Sequence, residues 1–210
     1  QAIGAAMDQL DTDDGLFVGV ITGAGGVFSA GMDLKAFLAG EKPAVPGRGF
    51  AGLVERPPTT PLIAAVEGPA LAGGFEIALA CDLIVASANS VFSLPEVTRG
   101  LTAAAGGMYR LVRALPRAIA LELLATGDRI PAARAAELGL INRVAPQGDA
   151  LAEAVALAER ICANAPIAVR ETLKVARRAL DLDDDTLFAL GLEAQDRVMT
   201  TEDFREGPLA

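Results

Sequence analysis

Four short apolar runs recur along this 210-residue chain and constrain its fold more than any other feature: LFVGVITG from Leu16, PLIAAVEG from Pro61, DLIVAS from Asp82 and INRVA from Ile141. Each is bounded by Gly, Pro, Asp or Asn. Little polar alternation interrupts them, which predicts strands buried on both faces rather than strands with one wet face. Between them lie segments of helical period: Gln1 to Leu10, Gly31 to Leu38, Gly73 to Cys81, Gly106 to Leu124 and Pro131 to Leu138. Strand and helix in alternation predict an α/β fold. From Asp149 onward every segment has helical period and no strand follows. The chain therefore divides into an α/β core, residues 1–146, and an all-helical C-terminal region, residues 147–210.

Composition narrows the function classes. The 18 basic and 27 acidic residues give a net charge of −9, and no segment gathers Lys and Arg beside aromatics, so nucleic acid is not an expected partner. No apolar run reaches the roughly 18 residues of a membrane span, and the first residues lack the pattern of a secretory signal; a soluble, cytoplasmic protein is expected. Cys81 and Cys162 read as free, buried thiols of a reducing compartment. The chain has no histidine, which removes the commonest general base and metal ligand and leaves proton transfer to carboxylates, Lys, Tyr or Cys. The acidic cluster Asp181 to Thr186 lacks the central Gly and closing Glu of a calcium loop and reads as a cap for the next helix. Gly40 to Thr60, rich in Pro and Gly, reads as a long mobile surface loop.

Two strand-to-helix junctions resemble one another: AGGVFSAGMDLKAF after the first strand and PALAGGFEIALACD after the second. In each, a helix begins among glycines and small residues, and the free N–H groups at its start, backed by the helix dipole, can bind an anion. Two such amides meeting at one point would form an oxyanion hole. Neither junction has the spacing of a dinucleotide or phosphate-loop fingerprint. Glu76 lies one turn into the second helix, and Glu96 follows Pro95. Taken singly, each reads more simply as a helix-start carboxylate than as a catalytic one; facing a common cavity, they could position a water and share proton transfers.

The segments ITGAGGVFSAGMDLKAF, PLIAAVEGPALAGGFEIALACDLIVAS, FSLPEVTRGL, GGMYRL and LLATGDRIPAARAAELGLINRVAP resemble, in order and spacing, the enoyl-CoA hydratase (crotonase) family from about Gly15 to Pro146, and more loosely beyond. The resemblance implies a spiral of β-β-α turns, with the C-terminal helices packed at the interface of a homotrimer or a dimer of trimers. It puts the two hydratase glutamates on Glu76 and Glu96, the oxyanion amides on Met32 and Gly73, and CoA-holding positions on Asp33, Leu34 and Lys35. It implies an acyl-CoA substrate and water addition to a 2-enoyl thioester, with no metal and no cofactor besides the CoA of the substrate.

Two departures qualify what is implied. The family loop Gly-x-x-Pro-x-x-Gly-Gly stands here as GLTAAAGG, with Ala103 at the proline position. A loop so changed on the acyl side points toward carnitinyl-like or bulky acyl groups. Family members also begin with a strand hairpin ahead of Gln1 and continue past Ala210, so an early CoA-contacting segment is expected to be missing. Other reactions of the family remain open at this point: a carnitinyl-CoA-type dehydratase, an enoyl-CoA isomerase or an acyl-CoA hydrolase. So does a catalytically idle acyl-CoA-binding protein.

Overall fold

The computed structural model describes residues 1–206. The N-terminal half contains α1 (Ala2–Thr12), β1 (Gly19–Thr22), α2 (Leu34–Leu38), β2 (Ala44–Val45), β3 (Gly49–Phe50), β4 (Leu62–Val66), β5 (Pro69–Leu71), α3 (Gly73–Ala80), β6 (Leu83–Ser87) and β7 (Val91–Ser93). A 3₁₀ turn (Pro95–Arg99) leads into α4 (Gly107–Ala114), α5 (Arg117–Thr126), β8 (Ile130–Pro131), α6 (Ala132–Glu137) and β9 (Arg143–Ala145). The tail holds α7 (Ala150–Cys162), α8 (Pro166–Ala176), α9 (Asp184–Met199) and α10 (Glu202–Glu206).

The four apolar runs become the four strands of one parallel sheet, in the order β1-β4-β6-β9. Its central strand β4 is buried from end to end, and its side chains divide by parity. Ile63 and Ala65, with Val85 of β6, pack under α7 at Ala154, Leu157 and Ile161. Leu62, Ala64 and Val66 face the opposite layer, where Phe75 of α3 and Phe92 of β7 meet at 5.1 Å between ring centroids. A smaller sheet, β5-β7-β8, forms that second layer. Each turn of the chain thus adds a strand to the large sheet, bends, adds a strand to the small one and closes with helix: β4-β5-α3, then β6-β7 followed by α4 and α5. This is the β-β-α spiral expected. At the second bend Ser87 Oγ and Ser90 Oγ lie 2.9 Å apart, and the Ser90 hydroxyl donates to the Val66 carbonyl at 2.9 Å, holding the corner to the sheet.

Several expectations are corrected. The helix expected from Gly106 to Leu124 is two helices: Leu115 is extended, as a residue before proline prefers, and Pro116, lacking an N–H, begins α5. The Gly40–Thr60 stretch is not merely a surface loop. It forms the β2-β3 hairpin and buries Leu53 and Val54 almost completely, while Arg48 is 9% exposed and pairs with Asp8 of α1. Cys162 is exposed rather than buried; Cys81 is half-buried, its thiol donating to the Ile77 carbonyl at 3.3 Å. Asp183 does cap α9, accepting from the Thr186 N–H at 2.9 Å.

The helical tail is anchored in two ways. Its first helix, α7, is the cover of the large sheet, so packing runs continuously across the division drawn at residue 146. Beyond α8, Arg177 grips both carboxylate oxygens of Asp82 at 2.6 Å and donates to the carbonyls of Pro58 and Thr59. Among the described residues no helix is long and apolar enough to cross a membrane.

Candidate active site

The two glycine-rich junctions come together because the chain before α2 pairs with β5. Ser29 donates its N–H to the Pro69 carbonyl at 3.2 Å, and its own carbonyl accepts from Leu71 N–H at 2.9 Å. This lays the Gly31–Met32 backbone against the start of α3, and the approach is so close that side chains are excluded. Gly31 has a φ of +89°, and a Cβ there would stand 2.8 Å from the Gly73 nitrogen. A Cβ on Gly74 would stand 2.3 Å from the Ser29 carbonyl oxygen. Ala72 turns the chain into α3 at a φ of 50° and ψ of −128°, a conformation costly for a residue with a Cβ. Its N–H is tied to the Ser93 carbonyl at 2.9 Å. Gly73 therefore opens α3 with its N–H toward no backbone carbonyl among the described residues, and the same holds for Met32.

Met32 and Gly73 line one cavity of about 430 Å³, and so do Glu76 and Glu96. The two carboxylates are held differently. Glu76, one turn into α3, is 4% exposed; its Oε1 accepts from the Gly107 N–H at the start of α4, at 2.9 Å. Burial pushes its pKa above the ordinary carboxylate range, against the lowering effect of the Gly107 and Ala105 amides and of Arg110. Glu96 stands in the 3₁₀ turn behind Pro95, where its Oε2 is buried without a hydrogen-bond partner. Its pKa is raised too, by burial first and then by the charge of Glu76. A fixed carboxylate and one with a free buried oxygen, in reach of each other's field, suit the sharing of a proton and the orientation of a water.

The remaining predicted positions separate. Leu34 lines the cavity. Asp33 instead caps α2, its Oδ1 accepting from the N–H groups of Lys35 and Ala36 at 2.8 and 3.2 Å, and it borders a smaller hollow of about 280 Å³ on the far side of Met32. The Lys35 side chain lines neither space. Among the wall residues not foreseen are Phe50 and Arg99, whereas Thr102 lies in the GLTAAAGG loop expected on the acyl side. Phe50, from the β2-β3 hairpin, stands so near α3 that a Cβ on Gly73 would meet its ring at 2.5 Å. Arg99 and Thr102 follow Glu96 on the opposite wall. Within GRGF, Phe50 is the lone aromatic of a Pro/Gly-rich stretch, and that was the available signal. Ala103, at the position where the resemblance implied proline, packs into the core beside the cavity rather than into it.

Comparison with known proteins agrees with this fold. The model of a family described as enoyl-CoA hydratase/isomerase matches residues 1–210. Enoyl-CoA hydratase EchA19 of Mycobacterium tuberculosis is 42% identical, over 98% of this chain and 80% of the relative. Carnitinyl-CoA dehydratase of Proteus mirabilis is 40% identical, over 99% of this chain and 83% of the relative. A crystal structure of an enoyl-CoA hydratase from Mycobacterium tuberculosis H37Rv superposes with a TM-score of 0.96 at 55% identity, covering 100% of this chain and 82% of that one. With a β-β-α spiral of this shape and a match over its whole length, the chain belongs to the enoyl-CoA hydratase/isomerase family of enzymes, the crotonase family.

Proposed function

We propose that the protein is a hydratase that adds water, reversibly, across the double bond of a 2-enoyl-CoA thioester. The observation that supports the reading is that two glutamates line one cavity with Met32 and Gly73, whose N–H groups meet no backbone carbonyl among the described residues. The thioester carbonyl oxygen accepts from the N–H groups of Met32 and Gly73, which stabilise the enolate-like charge of the transition state; one such donor is worth about 2.7 to 4 kcal/mol of barrier. A water between Glu76 and Glu96 supplies its oxygen to the β-carbon, and the α-carbon takes up a proton through Glu96. The sum is one water per double bond, and the step needs no metal and no redox cofactor. Leu34 contributes to the CoA-side wall, and Asp33 fixes the start of the helix that carries it. We assign the enzyme to the cytoplasm, as a homotrimer or a dimer of trimers.

Crotonyl-CoA tests this directly, since hydration removes the ultraviolet absorbance of the conjugated thioester. Wild-type protein turns it over, and Glu76→Gln or Glu96→Gln lowers kcat by about 10²- to 10⁴-fold, the usual share of a positioned acid or base. Unchanged hydration in Glu76→Gln would refute the two-carboxylate mechanism. Binding of enoyl-CoAs of every chain length without turnover would leave an idle acyl-CoA-binding protein.

A further inference from the structure

Resting on the hydratase reading, we propose that Arg99 selects an acyl group that ends in a carboxylate, so that the preferred substrates are monothioesters of unsaturated dicarboxylic acids. Arg99 closes the same 3₁₀ turn that carries Glu96. In that geometry residues i and i+3 eclipse, about 6 Å apart along the axis, so Glu96 and Arg99 project from one face of the turn, and both line the one cavity. The thioester carbonyl at Met32 and Gly73 and the double bond at the two glutamates fix the direction of the substrate. The loop that follows Arg99, which lines the same cavity at Leu101, Thr102, Ala104 and Ala105, is the segment the family resemblance puts on the acyl side, so Arg99 is the charge beside the acyl chain there.

Three observations make Arg99 a ligand-reading group rather than a structural one. Among the described residues it has no ion pair and no hydrogen bond. Three arginines that line a separate hollow beside Cys81 and Tyr109 are by contrast engaged: Arg110 with the carbonyls of Ala105 and Val54, Arg113 with Asp181, Arg177 with Asp82. Arg99 is itself exposed, like other unpaired arginines of the surface, but it borders a cavity whose other charged walls, Glu76 and Glu96, are both acids. A guanidinium in this position offers a planar fork to a carboxylate, with the Thr102 hydroxyl beside it. By the same charge it repels a quaternary ammonium, so a carnitinyl-type acyl group is disfavoured here.

The test compares the CoA thioesters of trans-2-hexenedioic and trans-2-hexenoic acid, which differ only in the terminal carboxylate. Wild-type enzyme has the higher kcat/KM for the hexenedioyl thioester. Arg99→Gln lowers the ratio of the two kcat/KM values by about 10- to 100-fold, and Arg99→Lys keeps part of the preference. Because each ratio is taken on one preparation, partial unfolding of a variant cancels from it. An unchanged ratio in Arg99→Gln overturns the proposal, as does equal loss on both thioesters, which would place Arg99 on the CoA moiety they share. Wild type that hydrates hexenoyl-CoA but rejects hexenedioyl-CoA also overturns it while leaving the hydratase reading intact. Turnover of neither defeats both.

Discussion

Glu76 and Glu96 pay for their position in stability. A carboxyl group whose pKa is higher in the folded than in the unfolded chain holds its proton more tightly when folded. Stability therefore falls as pH rises from the ordinary carboxylate range through the raised value, and the deficit persists above it. Both glutamates are shifted upward, chiefly by burial. Glu96→Gln abolishes the deficit at little cost in contacts, since Oε2 has no partner to lose and the amide oxygen can still accept from the residue's own N–H. The variant melts at or above the wild-type Tm near pH 8, and its advantage shrinks below about pH 4, where the wild-type carboxyl is protonated as well. Thermal scans across that range check this; a clearly lower Tm near pH 8 contradicts it. In Glu76→Gln the charge that raises Glu96 is gone, so the pKa of Glu96 falls toward the ordinary range. Glu76 drew attention as an acid inside an apolar, glycine-rich run, but its pairing with Glu96 came from the family resemblance, since each alone reads as a helix-start carboxylate. Phe50 and Arg99 were not legible, since nothing local says that a hairpin folds back over Gly73 or that a turn faces a cavity.

Legibility among the elements follows burial. The central strands β4 and β6 could be read because both of their faces are covered, which leaves an uninterrupted apolar run, whereas the edge strands β1 and β9 are apolar yet partly exposed, so the expectation of burial on both faces fails there. β5, β7 and β8 are two or three residues long, too short to show any period, and β5 begins at a proline. The β2-β3 hairpin was hidden by its composition: PAVPGRGF reads as loop, yet tertiary contacts fix it. Arg48 supplies one of those contacts. Its stem packs against Gly4, and its guanidinium reaches Asp8 and the Arg56 carbonyl, joining the hairpin to α1. Arg48→Ala removes the pairing and the packing of the stem, and costs about 1 to 3 kcal/mol in urea unfolding. The Phe50 wall loosens with it, so KM for an enoyl-CoA rises more than kcat falls. A full stability loss with KM unmoved would show that the hairpin keeps its place over the cavity by Leu53 and Val54 alone.

For the molecule as a whole, the helical tail has two parts with different work. α7 is spent on the sheet, whereas α8 and α9 pack on each other and leave large apolar side chains outside: Leu180 and Phe188 are each 70% exposed and Leu192 54%. An acidic chain with a net charge of −9 has ample polar surface elsewhere, so this apolar face is unexplained by solubility and fits burial against another copy. The trimer proposed above would cover it. Sedimentation equilibrium is then expected to give a native mass of three or six chains. Phe188→Glu puts a carboxylate into the covered face and shifts the mass toward one chain while the far-ultraviolet circular dichroism of the helices is kept. If wild type sediments as a single chain at micromolar concentration, the assembly is wrong and the exposed face of α9 needs another occupant. If Phe188→Glu leaves a trimer intact, subunits meet through a different surface, and the tail serves the fold through α7 and the Arg177–Asp82 clasp instead.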